Sequence, residues 1–207
     1  MLDSLLNKTK MSAKLERFAK KRLYGKISAN SLTLLGLLVG ITSAVFIMLI
    51  AQFELSYYYN IAAVFILTFS FMFDILDGAL ARVSEPTKFG GVFDIMADRT
   101  VEICIIIAIT YRDPTGMVWP SVFLLSMITL CITIFLLLGT VMDDIESINS
   151  EKVIVYSAGL TERAETYLFL ILAVLIPWYQ SVIFWVFSIG VLLTIIQRLI
   201  YAYTMLK

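Results

Sequence analysis

Residues 55–99 read LSYYYNIAAVFILTFSFMFDILDGALARVSEPTKFGGVFDIMADR and combine a long apolar run with four aspartates. The run over residues 55–73 carries no charge, and the aspartates follow it. A helix of about 20 apolar residues crosses the hydrocarbon core of a bilayer, which is about 30 Å thick. The run therefore predicts a membrane-spanning helix that has acidic side chains near its end.

Three other long runs, residues 27–53, 114–142 and 166–197, are also uncharged. The last contains Pro177-Trp178-Tyr179-Gln180, which predicts a turn between two spans. The stretch over residues 90–111 is apolar apart from four charged residues, and we count it as a span. The sequence thus predicts an all-α integral membrane protein with six transmembrane helices, near residues 30–52, 57–82, 91–111, 117–142, 160–177 and 180–205.

The composition supports a membrane protein. Of 207 residues, 60% are hydrophobic and 15% are charged, and the mean hydropathy is +0.90, whereas soluble domains have about 45–50% apolar and about 25% charged residues. The chain has no histidine, which excludes the commonest general base near neutral pH and the commonest nitrogen ligand of zinc. Cys104 and Cys131 lie within apolar runs, so a disulfide framework or a thiolate metal site has little support.

The charges are distributed unevenly along the chain. Residues 1–26 hold eight bases and two acids, while residues 27–207 hold eight bases and fourteen acids. This pattern predicts an amphipathic N-terminal helix in the headgroup region, or alternatively a simple topology signal. Because Arg112 is the only base predicted on the opposite side, both termini are expected in the cytoplasm. Membrane lipids are the expected partners of the basic segment, and no nucleic-acid partner is expected.

The four aspartates form two helical pairs. Asp74 and Asp77 are three residues apart, and Asp94 and Asp98 are four apart, so each pair shares a helical face. Consecutive helices joined by a short loop run antiparallel, which brings the pairs together. Four like charges at membrane depth need a cation, and carboxylates without His or Cys select Mg²⁺, Mn²⁺ or Ca²⁺. Four aspartates suit two ions, an arrangement that serves displacement at phosphorus.

Other interpretations of this segment remain open. The aspartates could form a charge network with Arg82 and Arg99 that only positions helices. An ion or metal transporter would also place acids in its spans, although along a pathway that reaches both membrane faces. Small residues between the aspartates serve either close helix packing or the approach of a ligand; they are Gly78, Ala81, Gly90 and Gly91.

At these residues the sequence resembles the CDP-alcohol phosphatidyltransferase family, whose signature is D-x2-D-G-x2-A-R-x8-G-x3-D-x3-D. The matching residues are Asp74, Asp77, Gly78, Ala81, Arg82, Gly90, Asp94 and Asp98. One departure is visible, because residues 83–89 make the spacer one residue shorter than usual. The resemblance implies a six-span CDP-alcohol phosphotransferase domain over residues 27–207, after a juxtamembrane helix over residues 1–26.

The resemblance also implies an activity, which is the transfer of a phosphatidyl-type group from a CDP-linked lipid to an alcohol with release of CMP. The four aspartates would hold two Mg²⁺ or Mn²⁺ ions, and Asp98 would also deprotonate the acceptor hydroxyl. The enzyme would be a homodimer with a cytoplasmic active site. The residues implied to contact the CDP-lipid are Asn30, Thr33, Gly78, Ala81, Arg82, Thr87 and Gly90. Asn30 and Thr33 are alternatively a helix N-cap and its neighbour.

A basic pocket would suit a phosphorylated acceptor, and Arg99, Arg163 and Arg198 are its candidate residues. Alternatively, Arg163 is a snorkelling anchor and Arg99 pairs with a helix acid. The stretches 88–91 and 159–165 resemble archaeal family members that make inositol phosphate ether lipids, which favours inositol phosphate over glycerol phosphate. Those members usually carry basic residues where residues 141–144 are Val-Met-Asp-Asp, so glycerol phosphate or an uncharged alcohol stays open. A non-catalytic scaffold that retains the fold is a further alternative.

Overall fold

The computed structural model describes residues 10–53, 57–84, 86–149 and 163–206, and within these ranges the chain is almost entirely helical. A single turn of 3₁₀ helix, Pro177–Tyr179, separates the last two helices at the predicted turn. The α-helices are α1 Lys10–Arg22, α2 Ala29–Gln52, α3 Tyr58–Val83, α4 Lys88–Arg112, α5 Pro114–Asn149, α6 Arg163–Leu175 and α7 Gln180–Met205.

Each of the six predicted spans overlaps one of the helices α2 to α7, but within the described ranges four segments are long and apolar enough to cross a membrane. These four are Ala29–Gln52, Tyr58–Val83, Pro114–Val141 and Pro177–Met205. Helix α4 has the length but carries several charged residues, and the described part of α6 has only 13 residues. The all-helical membrane architecture is therefore confirmed, while the count of six spans stays a prediction.

Helices α2, α3 and α4 pack closely at small residues. The Ser43 hydroxyl donates to the Ala63 carbonyl at 2.9 Å, and the Ser70 hydroxyl donates to the Gly36 carbonyl at 2.7 Å. At Gly40, a Cβ atom would lie 2.5 Å from a methyl carbon of Val101. Small residues at such crossings allow helix backbones to approach one another within a membrane. This close packing brings the ends of the three helices to one site.

Substitution of Gly40 by alanine is expected to destabilise the bundle. The added methyl group would overlap Val101, a β-branched residue with little rotamer freedom, and overpacking of this kind costs about 1–3 kcal/mol. The measurement is thermal unfolding in detergent. Gly139→Ala is the matched control, because nothing lies within 4 Å of a Cβ at that position. Equal melting temperatures for the two variants would contradict the prediction.

The N-terminal helix α1 is docked onto α3. Ala19 of α1 is fully buried in a cluster with Leu32, Ala79 and Leu80, and Leu15 packs against the same cluster. The basic residues of the last turn, Lys20, Lys21 and Arg22, are exposed. The helix thus presents an apolar face to the protein and a basic face to its surroundings, so it does more than carry a topology signal.

Candidate active site

Three of the four signature aspartates meet between α3 and α4. Carboxylate oxygens of Asp74, Asp94 and Asp98 all lie within 4.8 Å of one another. Oxygens on opposite sides of one hard cation are about 4–5 Å apart, since the metal–oxygen distance is about 2.0–2.6 Å. The donor set and its spacing therefore fit a divalent cation of the kind that prefers oxygen ligands.

Asp77 lies at the same site but outside this group of three. Its side chain is buried and lines a small cavity together with Asp74 and Asp98. Thr33 of α2 and Tyr167 of α6 also line this cavity. The cavity is thus bounded by four helices, and no motif or spacing in the sequence predicts Tyr167 among its residues.

The first turns of α2 and α4 approach each other beside the aspartates. The Asn30 Oδ1 atom lies 3.0 Å from the position that a Cβ on Gly90 would occupy. The Thr87 hydroxyl caps α4 by accepting a hydrogen bond from the Gly90 amide at 3.0 Å. Ala81 is half-buried on α3. Asn30, Thr87 and Gly90, three of the residues that the resemblance implies for CDP-lipid binding, are thus brought together.

The alternative role of Asn30 as a helix N-cap is wrong. Ser28 is the N-cap of α2, because its backbone is extended and its hydroxyl accepts a hydrogen bond from the Ser31 amide at 3.1 Å. Thr33 donates its hydroxyl proton to the Ala29 carbonyl one turn earlier. The cap lies two residues before Asn30, which leaves the Asn30 side chain directed at Gly90.

Arg82 contacts a residue that sequence reasoning missed. Its Nε donates to Glu16 Oε1 of α1 at 3.0 Å. Its Nη1 lies 3.6 Å from the position of a Cβ on Gly78, so the guanidinium extends back along α3. One feature of the sequence could have pointed to Glu16. It is the only acid in residues 10–22, a segment that also holds six bases.

The arginines predicted to bind the acceptor have different surroundings. Arg99 Nη1 lies 2.6 Å from Oε2 of Glu102, a fully buried acid on the same helix. This is the pairing with a helix acid that the sequence offered as the alternative to acceptor binding. Arg198 is buried; its Nη1 donates to the Cys131 carbonyl at 2.9 Å, and its guanidinium carbon lies 5.1 Å from the centroid of the Phe135 ring. The side chain of Arg163 lies outside the described residues.

The buried Arg198 side chain has one donor without a partner among the described residues. Its Nε has no hydrogen-bond partner within the described residues, and an unsatisfied buried donor is costly, more so when it is charged. Arg99 lines a separate cavity of about 180 Å³ between α4 and α5, together with Glu102, two threonines and apolar side chains.

The chain is similar to known proteins over most of its length. The family model for CDP-alcohol phosphatidyltransferase matches residues 26–196. Archaetidylinositol phosphate synthase of Methanothermobacter thermautotrophicus is 33% identical over 140 residues, which cover 65% of this chain and 66% of that protein. Phosphatidylinositol phosphate synthase of Corynebacterium glutamicum is 27% identical over 199 residues, or 90% of this chain and 83% of that protein.

The fold is also similar to solved structures. Phosphatidylinositol phosphate synthase of Mycobacterium tuberculosis, in complex with manganese and citrate, superposes with a TM-score of 0.68 at 20% identity, covering 92% of this chain and 89% of that chain. The same enzyme with CDP-DAG bound gives a TM-score of 0.64 at 18% identity and covers 92% of each chain. The signature aspartates, the helical fold and the match over residues 26–196 agree, and the chain therefore belongs to the CDP-alcohol phosphatidyltransferase family.

Proposed function

We propose that this protein is a membrane phospholipid synthase that transfers a phosphatidyl-type group from a CDP-linked lipid to a polyol phosphate and releases CMP. The observation that carries the proposal is the meeting of Asp74, Asp94 and Asp98 at signature positions of two adjacent helices. The relatives support an inositol phosphate acceptor, since two of them are named for archaetidylinositol phosphate and phosphatidylinositol phosphate synthesis. We place inositol phosphate ahead of glycerol phosphate.

The four aspartates would hold two divalent ions, Mg²⁺ or Mn²⁺. The donor set consists of carboxylate oxygens, and the mycobacterial enzyme of similar fold was solved in complex with manganese, which supports a divalent metal for this protein. When bound, the ions would neutralise phosphate oxygens during displacement at phosphorus. Asp74, Asp94 and Asp98 would contribute ligands from facing helices, and Asp77 would contribute from the wall of the cavity.

Asp98 would also act as the general base. Its carboxylate is buried at the cavity and, in a chain without histidine, it has the residue type best suited to accept a proton there. The acceptor hydroxyl oxygen forms a bond to the phosphorus that carries the lipid, and the bond from that phosphorus to the bridging oxygen of CMP breaks. The hydroxyl proton passes to Asp98, and CMP leaves with the electron pair of the broken bond.

The CDP part of the lipid would lie along the ends of α2, α3 and α4. The contact of Asn30 with Gly90 and the guanidinium of Arg82 above Gly78 support this placement. Thr33, Ala81 and Thr87 would complete the surface. A glycine has no side chain, so a ligand can approach its backbone closely, and one guanidinium can bind two phosphate oxygens at once.

The phosphate of the acceptor would be bound by Arg198, with Arg99 and Arg163 as further members of a basic pocket. The unsatisfied Nε of Arg198 supports this role. Arg99 is already compensated by Glu102, which reduces the positive charge that it offers to a ligand. Arg198 is therefore the residue from which we expect the larger contribution.

The Arg198→Gln variant is expected to raise the acceptor KM about 10- to 100-fold, the effect of losing hydrogen bonds to a charged group. The KM for the CDP-lipid should stay within about twofold, since the lost group binds the other substrate. Steady-state CMP release at varied concentrations of each substrate measures both constants. Gln197→Ala, at an exposed neighbouring position, is the control. An unchanged acceptor KM would return Arg198 to a structural anchor.

We further propose six spans in a multi-pass cell membrane protein, a homodimer with both termini and the active site on the cytoplasmic side. The division into a juxtamembrane helix over residues 1–26 and a catalytic domain over residues 27–207 belongs to the same proposal. The basic N-terminal segment supports this orientation. Accessibility of cysteines introduced at exposed positions near Lys14 and Tyr203, in intact and in lysed cells, tests the orientation of both ends.

The activity is tested directly with purified protein. A CDP-lipid and Mg²⁺ or Mn²⁺ are incubated with inositol phosphate, glycerol phosphate, free inositol or serine, and released CMP is quantified. We expect CMP release to depend on metal and to be fastest with inositol phosphate. Ion flux in proteoliposomes without CMP release would favour the transporter, and no metal-dependent turnover with any acceptor would favour the scaffold.

A further inference from the structure

We propose that Glu16 of α1 is a positioning residue that holds Arg82 ready for the diphosphate of the CDP-linked lipid. The inference rests on the proposed function, because it assigns a role to a contact of Arg82. It makes the N-terminal helix part of the substrate-binding machinery. The contact is the hydrogen bond from Arg82 Nε to Glu16 Oε1, which joins residues 66 positions apart.

The backbone of Glu16 is positioned by the packing of its helix. Leu15 and Leu23 pack against the cluster in which Ala19 and Ala79 are buried, and these contacts set the position of α1 on α3. This packing places residue 16 beside Arg82. A carboxylate held on a docked helix can restrict a long arginine side chain at little further entropic cost.

The geometry of the pair leaves the correct edge of the guanidinium available. Glu16 accepts from Nε, while Nη1 lies over Gly78 at 3.6 Å from its Cβ position. Residues 74, 78 and 82 are spaced by four and share one face of α3, so Nη1 lies on the side of Arg82 that leads to Asp74. A guanidinium presents its donors as a planar fork, and one edge remains to bind two phosphate oxygens.

The pair contributes little to folding. The Arg82 and Glu16 side chains are 49% and 37% exposed, and exposed ion pairs have small effects on stability. Helix α1 otherwise carries only bases among its charged residues, which is what a headgroup-binding helix requires. A single acid directed at a signature arginine is therefore better explained by substrate binding than by stability or membrane contact.

Glu16→Gln is expected to raise the KM for the CDP-lipid about two- to fivefold, the size of an exposed ion-pair effect. The kcat, the acceptor KM and the melting temperature should not change. Lys21→Gln, an exposed charge change on the same helix, is the matched control and should leave all four quantities unchanged. In the Arg82→Lys background, which removes Nε and the planar fork, the additional effect of Glu16→Gln should disappear.

The outcomes separate this inference from the proposed function. If the wild-type protein releases CMP and Glu16→Gln leaves the CDP-lipid KM unchanged, the positioning role is overturned and the proposed function stands. A lower KM in Glu16→Gln would also overturn it, because Glu16 would then compete with the diphosphate. Equal effects of Glu16→Gln in the wild-type and Arg82→Lys backgrounds would show that Glu16 does not act through Arg82. If the wild-type protein releases no CMP, both proposals fail.

Discussion

The Asp98→Asn variant is expected to lose CMP release by about 10²- to 10⁴-fold, the contribution of a positioned general base, and more if the metal contact is also weakened. It should still bind the CDP-lipid, because the amide preserves the shape of the side chain within the cavity. Single-turnover CMP release and equilibrium binding of the CDP-lipid measure the two properties separately.

Asp113→Asn is the matched control for this experiment. Asp113 follows α4, the helix of Asp98, and its Oδ1 accepts a hydrogen bond from the Gly116 amide at 3.1 Å. An asparagine oxygen can accept the same hydrogen bond, and both residues cap helices well. The control should therefore be fully active. Near-normal turnover in Asp98→Asn would remove Asp98 from the role of base.

The Asp74→Ala and Asp94→Ala variants are each expected to lose activity that excess Mg²⁺ or Mn²⁺ does not restore. The carboxylates lie within 4.8 Å of each other on two helices, so each would share the ions with the other. Removal of either ligand would leave an incomplete site on both helices. Activity titrated against metal concentration measures the effect, and a chelator should abolish turnover of the parent protein.

Metal binding provides a second readout that does not depend on turnover. Manganese binding followed by electron paramagnetic resonance should weaken strongly in both variants, while Asp113→Asn retains the parent affinity. Recovery of full activity at high metal concentration would contradict the prediction, because the substituted residue would then contribute only to the affinity for the metal. Activity of the parent protein that is insensitive to chelators would contradict the metal site itself.

Helix positions were predictable because the signals for them are local. Uncharged runs of membrane length and the Pro177 turn lie in contiguous sequence, and α7 begins and ends at the predicted residues 180 and 205. The fourth span was predicted less accurately: the prediction was residues 117–142, whereas α5 extends over Pro114–Asn149. The aspartate cluster was predictable for a related reason, because two helices separated only by residues 84–87 bring their facing ends together.

Asp77 shows the limit of reasoning from spacing alone. A residue three positions on is rotated by about 60° from the first, whereas one four positions on is rotated by about 40°. Both spacings keep a pair on one helical face, yet Asp77 shares only the cavity with Asp74 and is not part of the group of three carboxylates. Helical periodicity predicted which face of α3 carries the aspartates. Which carboxylate oxygens converge depended on how α4 packs against α3.

The sequence by itself determined the helices, the membrane class and the aspartate site, because apolar length, helical period and a contiguous signature are all properties of neighbouring residues. Local spacing also offered Arg99 a partner on its own helix, where Glu102 lies three residues further on. Only the tertiary structure decided which charged side chains meet partners on other helices. Arg82 meets Glu16, and Arg198 meets the carbonyl of Cys131, 67 residues away. Such pairs form where helices distant in sequence pack together, and no local pattern encodes which face of one helix meets another.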